Sequence, residues 1–342
     1  GRKFREAEGM LKTALPKVKS GYGPESAPYA FCLFSLGDAQ LRMRKMAGVE
    51  QRLREAENIL LGLGDTTSYL FVELQESLAI YYNITGQYER SEPLFLKVLE
   101  LSKKVYGENS LSYGEALANL GILYDLTGRY EKSVQYQLQA LDIIGQVFGE
   151  DHPAYALRLG NLCGTYQNMG LLKEAEEQGL RSVELLRASK GGEDLQYAHS
   201  LNNLGALYIS IGTLEKARQM LEEAKAIYRK ELGENSYDFA NAQLNIANSH
   251  LLQEEYNKAI EGYEQVRQIV KQTAGEKIYY YSTVVLNLGA CYASAGNWAK
   301  AEEYLLQAKS LRQELAPESP GYAYVLIQLA NLYRVQERYE EA

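Results

Sequence analysis

The sequence predicts an all-α solenoid of stacked, antiparallel helix pairs, and three observations carry that expectation. The first is a block that recurs every 42 residues along most of the chain. It is clearest at 195–216, LQYAHSLNNLGALYISIGTLEK, where Leu204, Tyr208 and Gly212 stand. One period earlier stand Leu162, Tyr166 and Gly170, and two periods earlier Leu120, Tyr124 and Gly128. Two periods later come Leu288, Tyr292 and Gly296. A fixed period of this length is the signature of supersecondary units that bury their apolar faces only against neighbours. The second observation is a glycine between the two helical runs of nearly every block, at Gly86, Gly128, Gly170, Gly212 and Gly296, with Glu254 there once. A left-handed position after a helix is cheapest for glycine. The third is a small residue early in each second run: Ser91, Ser133, Ala175, Ala217, Ala259 and Ala301. Small side chains let two helices cross closely.

In chain order, residues 4–18 read as a lone second helix, with Ala7 in the small slot and Pro16 expected to kink or end it. Residues 20–28, rich in Gly, Ser and Pro, read as a loop. The next helix, about 29–46, keeps Leu36-Gly37 in phase, but its partner, about 50–61, looks some seven residues late. A short linker, GLGDTT, follows, and a distorted first turn of the array is expected. From Ser68 the phase is strict. The loops between blocks (YGENS, FGEDHP, KGGED, LGENS, AGEK, APESP) each end a long second helix, and most offer Ser, Asp or Asn to cap the next first helix. The last unit is one residue short, since Gly296 to Glu337 is 41. The organisation expected is one solenoid over 1–342: a partial repeat at 1–25, an irregular one at 26–66, regular repeats over 67–320 and a partial one at 321–342. Both ends fall inside helical patterns, so a fragment of a longer protein is expected.

The pattern LGxLY followed by G-x-Y-x-x-A resembles the tetratricopeptide repeat. Most such repeats run about 34 residues. The 42-residue form is similar to kinesin light chain arrays and to bacterial arrays, some fused to caspase-like CHAT protease domains. The resemblance covers nearly the whole chain. It implies a right-handed superhelix of about sixteen helices, with first helices lining a concave groove, and a non-catalytic protein–protein interaction scaffold that binds a peptide or helix. An alternative is the sensory or autoinhibitory arm of a larger enzyme, a CHAT-type protease or signalling kinase; a third is a self-associating scaffold.

Two ladders run with the period. Before the repeated Leu stand Ser35, Ser77, Asn119, Asn161, Asn203, Asn245, Asn287 and Gln328. This row either holds a bound peptide's backbone or ties adjacent helices. In the first turn of each first helix stand Tyr29, Phe71, Tyr113, Tyr155, Tyr197, Phe239, Tyr281 and Tyr322. They pack between repeats or offer a stacking platform.

If Tyr124 faces its second helix, residues nine, six and two before it and one after point toward the groove. These positions vary, as a specificity surface should. The candidates for peptide binding are Glu73, Glu76, Glu115, Asp125, Gln167, His199, Asn202, Asn203, Asn241, Asn245, Asn248, Asn287, Tyr324, Asn331 and Arg334. The face is acidic at first, small-sided around Gly160, Gly164 and Ala206, then apolar with amides through Ala290 and Ala293. With almost no Lys or Arg there, the expected partner is a neutral or basic segment, from another protein or another domain of the same one.

Net charge is −8, which repels phosphates, so neither nucleic acid nor membrane is an expected partner. No run approaches the roughly 18 apolar residues of a membrane span, no signal peptide is visible, and a cytoplasmic location is expected. Cys32, Cys163 and Cys291 show no metal-like spacing and read as buried small hydrophobes. No cofactor or metal is expected. Cys163 and His199 are the best Cys/His pair, in adjacent repeats, but nothing specifies an orienting third group. His152 lies in a loop and His250 replaces a packing Tyr.

Overall fold

The computed structural model describes residues 2–190 and 194–341. Among these are sixteen α-helices and no strand. The first helices of the pairs are α2 (Ala27–Arg42), α4 (Tyr69–Ile84), α6 (Leu111–Leu126), α8 (Pro153–Asn168), α10 (Leu195–Ile211), α12 (Tyr237–Leu252), α14 (Tyr279–Ser294) and α16 (Pro320–Val335). The second helices are α3 (Val49–Gly62), α5 (Tyr88–Tyr106), α7 (Tyr130–Phe148), α9 (Leu172–Lys190), α11 (Leu214–Leu232), α13 (Tyr256–Thr273) and α15 (Trp298–Leu315), with α1 (Arg2–Tyr22) preceding the first pair. The chain divides into two compact units, Gly1–Asn83 with Gln87–Gln196, and Ile84–Gly86 with Tyr197–Ala342.

In the N-terminal unit the apolar clusters are small and shared by consecutive helices. One joins Ala79 of α4, Phe95 of α5 and Leu120, Leu123 and Tyr124 of α6. Another joins Leu141 and Ile144 of α7 to Tyr155, Leu159 and Leu162 of α8. The helix pairs close at the repeated Leu-Gly, with Ala79 and Cys163 in the glycine slot of α4 and α8. A Cβ on Gly121 would lie 2.5 Å from Cγ of Gln137 and 3.4 Å from the Ser133 carbonyl oxygen. Ser91 and Ser133, the small residues expected at this crossing, are fully buried.

The C-terminal unit closes its pairs the same way. A Cβ on Gly205 would meet Cγ of Leu221 at 2.7 Å, and one on Gly289 would meet Cγ of Leu305 at 2.8 Å. Where Ala247 takes the glycine slot, the space comes from the other helix: a Cβ on Gly262 would sit 2.9 Å from that of Ala247.

The joints between pairs follow one local chemistry. Gly107, Gly149 and Gly233 end their helices at φ near +85° with ψ near 160°, at 85/163, 86/157 and 86/164, a region essentially reserved for glycine. Three residues on, Ser110 Oγ donates to the Gly107 carbonyl at 2.7 Å and accepts the Tyr113 amide at 3.2 Å. Ser26, Ser236 and Ser319 cap their helices likewise, and His152 Nδ1 accepts the Ala154 amide at 3.1 Å. The turn inside each pair is left-handed at Gly86, Gly128, Gly170, Gly212 and Gly296, and also at Glu254, φ 61°. A β-carbon in that region is strained. We therefore expect Glu254→Gly to stabilise the chain by about 1 kcal/mol, read as a higher urea midpoint; an unchanged or lower midpoint would contradict the strain.

Three local expectations are corrected. α1 runs through Pro16 to Tyr22, so the expected loop over 20–28 shrinks and α2 starts at Ala27. Proline holds φ near the helical value and removes one hydrogen bond, which a 21-residue helix tolerates here. α2 ends at Arg42, not 46. The second helix of that pair is not seven residues late: α3 starts at Val49, three past the regular position, 88 − 42 = 46. Its buried Leu53, Ala56 and Leu60 stand one period before Phe95, Val98 and Ser102. The turn is also in phase, because Arg44 takes the left-handed slot at φ 57° and Gly48 follows at 70°.

Candidate functional site

Each first helix gives one face to its own second helix, and the periodic residues are spent there. Phe71, Tyr155, Tyr197, Phe239 and Tyr281 are buried. Tyr29 and Tyr197 donate to Glu55 and Glu223 on their second helices, at 3.3 and 3.2 Å. The aromatic ladder is therefore packing. The Leu-Tyr row is held by a recurring bracket. Tyr124 donates to Glu92 at 3.0 Å, Arg129 grips the same carboxylate with both Nη1 and Nη2 at 2.9 Å, and its guanidinium lies 4.4 Å over the Tyr124 ring. Tyr333, Glu302 and Arg338 repeat it, while Lys216 and Lys300 sit over Tyr208 and Tyr292.

The Asn row bonds along the array. In the N-terminal unit Asn119 Nδ2 donates to Glu76 at 2.6 Å, joining α6 to α4. In the C-terminal unit Asn245 donates to Asn202 at 3.2 Å and Asn287 to Asn248 at 3.3 Å. Asn248 also accepts the Tyr263 hydroxyl at 2.7 Å. These amides tie successive first helices to one another and, through Tyr263, to a second helix.

In the N-terminal unit the candidates Glu73, Glu76 and Glu115 come together. Burial pushes Glu76 up to about 7, with Glu73 and Glu115 adding repulsion. Burial also raises Glu73, against the Tyr69 hydroxyl and Arg42. Two neighbours belong to the cluster that the sequence reading passed over: Asp38, bonded to Arg42 at 2.7 Å, and Arg158, which donates to both Glu115 oxygens at 2.7 and 2.6 Å. The expectation of a face almost free of Lys and Arg is thus corrected, although each of these cations is matched by a carboxylate. Phe31, Phe34 and Asp38 stand one period before Glu73, Glu76 and Ile80. The in-phase Leu36-Gly37 was the signal that would have found them. Asp125, raised by burial, accepts from Asn168 at 3.1 Å. Gln167 is half-buried on α8, near Gly164, where a Cβ would meet only open space.

In the C-terminal unit His199 keeps 45% of its side chain exposed, with its Nδ1 3.1 Å from the Tyr228 hydroxyl and 3.9 Å from Asp238. Asn203 and Asn241 are half-buried, and Asn202 is buried. On α16, Tyr324, Asn331 and Arg334 are exposed. Burial pushes the Cys163 thiol up to about 12, so it stays protonated, and the His199 ring is engaged by Tyr228. Among the described residues no group of three or more His, Cys, Asp and Glu is placed to hold a metal, and no helix is long and apolar enough to cross a membrane.

The sequence profile of the tetratricopeptide repeat matches residues 71–144, 156–230 and 280–342. A search of curated proteins finds no match. Among solved structures, a Rap protein complexed with competence and sporulation factor is similar at TM-score 0.64 and 14% identity, covering 99% of this chain and 100% of that one. The apo quorum sensor NprR of B. thuringiensis follows at TM-score 0.63 and 18% identity, covering 90% and 83%. Kinesin light chain TPR-like repeats from Podosopora anserina align at 22% identity and TM-score 0.46, covering 60% and 98%. The fold that the Rap protein and NprR share with the chain is a solenoid of helix pairs.

Proposed function

The chain belongs to the tetratricopeptide repeat family, whose members generally mediate protein–protein interactions, and from that premise we propose that its first-helix face binds a peptide or helix of a protein partner, with no catalytic step. The observation that carries the reading is a division of labour on the first helices. The periodic residues (the Leu-Gly pair, the aromatic ladder and the Tyr row) are committed to packing. The remaining face is left half-buried and changes its chemistry from acid to amide along the chain. At Gly164 it has room for a partner's backbone, because nothing lies within 4 Å of a Cβ there. The partner segment is neutral or basic, from a second protein or from another part of the same one. The Rap protein's complex with competence and sporulation factor agrees with this reading through fold alone.

Gly164→Trp tests it. A Cβ there meets nothing within 4 Å, and the melting temperature is expected to stay within a few degrees, roughly what 1 kcal/mol shifts. Affinity capture compared by mass spectrometry should then lose the partners that the parent retains. Equal capture by parent and variant at equal melting temperature would exclude this face.

A further inference from the structure

The N-terminal unit leaves two features of its first-helix face unmatched. One is aromatic: Phe31 on α2 is 56% exposed and Tyr69 on α4 is 63% exposed. Tyr69 meets Tyr106 edge-on, at 6.3 Å between ring centres, and the Glu73 carboxylate through its hydroxyl. Tyr69 stands one helical turn before Glu73 and bonds it, and Phe31 stands one period before Glu73, at the equivalent position of the preceding first helix. The other feature is charge. Of four carboxylates here, Asp38 is answered by Arg42 at 2.7 Å and Glu115 by Arg158 at 2.6 Å. Glu73 and Glu76 have no ion-pair partner among the described residues; they accept only from Tyr69 and Asn119. Arg42, already bonded to Asp38, acts on both only at longer range and does not offset their burial, since both carboxyls still stand raised; a cation supplied from outside relieves the remaining cost. A flat aromatic face beside them suits a guanidinium or ammonium group, which it attracts through the ring quadrupole.

We propose that this face is the docking surface for a basic segment, with one arginine or lysine side chain lying across Phe31 and Tyr69 and ending at Glu73 and Glu76. The inference rests on the first-helix face being the binding face and adds to it the chemistry and place of the anchoring side chain. Proton linkage follows. Glu76 shares a proton with the solvent near neutrality, and an incoming cation displaces it: the Glu76 O–H bond breaks, the proton passes to buffer, and the carboxylate pairs with the bound ammonium or guanidinium. Affinity therefore rises with pH between about 6 and 8.

The probe is an uncharged-ended peptide of alternating arginine and glycine, titrated calorimetrically into the full chain, with a glutamate-for-arginine peptide as control. The parent should bind the arginine peptide alone, and more tightly at about pH 8 than at about pH 6. Glu73→Gln with Glu76→Gln should weaken binding roughly tenfold and flatten the pH dependence. Phe31→Ala should weaken it roughly threefold. Glu222→Gln with Glu223→Gln, which removes the same charge from α11, should change it less than about twofold. No binding to the parent, or equal losses from the two double variants, overturns the proposal. If Gly164→Trp blocks a partner while Glu73 and Glu76 do not matter, this inference fails and the binding face stands. If Gly164→Trp blocks nothing while the arginine peptide still needs Glu73 and Glu76, the wider reading fails and the basic anchor remains.

Discussion

Gly289→Val is expected to lower the stability of the chain by about 3 kcal/mol. The residue lies where α14 crosses α15, and a β-carbon there would be 2.8 Å from Cγ of Leu305, 2.9 Å from its Cδ2 and 3.1 Å from its backbone nitrogen. Leu305 is 1% exposed and has nowhere to turn, and the backbone atom behind it moves only if the helices part. A branched side chain would force that parting over the whole crossing. The control is Gly164→Ala, a helical glycine whose added methyl meets nothing within 4 Å. There only the backbone-entropy gain operates, and stability should rise by about 0.5–1 kcal/mol. Urea unfolding of the two variants should give midpoint shifts of opposite sign. A Gly289→Val shift smaller than the equivalent of about 1 kcal/mol would mean the crossing is loose.

Glu76→Gln is expected to stabilise the protein by about 2 kcal/mol at about pH 8.5 and to leave it unchanged at about pH 4. Burial, with Glu73 and Glu115 adding repulsion, raises the folded-state pKa from 4.5 to about 7. The native state therefore keeps a proton that the unfolded chain has released between those values. Stability contributed by the neutral acid is present below the unfolded pKa and is lost as pH rises through the folded one, with the full cost above it. The magnitude is kept below the roughly 3 kcal/mol that the shift alone implies because water still reaches part of the carboxyl. Glutamine keeps an acceptor for Asn119 and carries no charge. Identical pH–stability curves for parent and variant would show that Glu76 ionises like a surface acid.

The repeat architecture was legible because each periodic residue answers a contact that itself repeats. Gly121, Gly205 and Gly289 mark helix crossings, Ser110 and Ser236 mark caps, and the glycine between the helices marks a left-handed turn, so clearly that Glu254 could be placed in the same turn. The first pair was harder. Arg44 adopts the turn conformation without being glycine, and α3 lacks its first turn, so the phase looked lost although Leu53 and Leu60 keep it. Of the two outcomes expected at Pro16, ending the helix does not occur: the proline costs one hydrogen bond, which the rest of α1 outweighs. On the binding face the sequence indicated positions and not partnerships. Asn119 was visible as a ladder member, but its bond to Glu76 depends on the rise from one first helix to the next. Arg158 reaches back 43 residues to Glu115, a pairing between neighbouring first helices that the spacing alone does not indicate. His199 was marked by register, and its contact with Tyr228 of the second helix was not visible from spacing.

The most direct test of the account places a photo-crosslinking amino acid at position 164 on the open face of α8 and, separately, at position 138 on α7, where Leu138 is 45% exposed. After irradiation in cells, partner adducts should form from position 164 and be absent from position 138. Adducts from position 138 with none from 164 would contradict the account, because the partner would then lie against the second helices and not along the first.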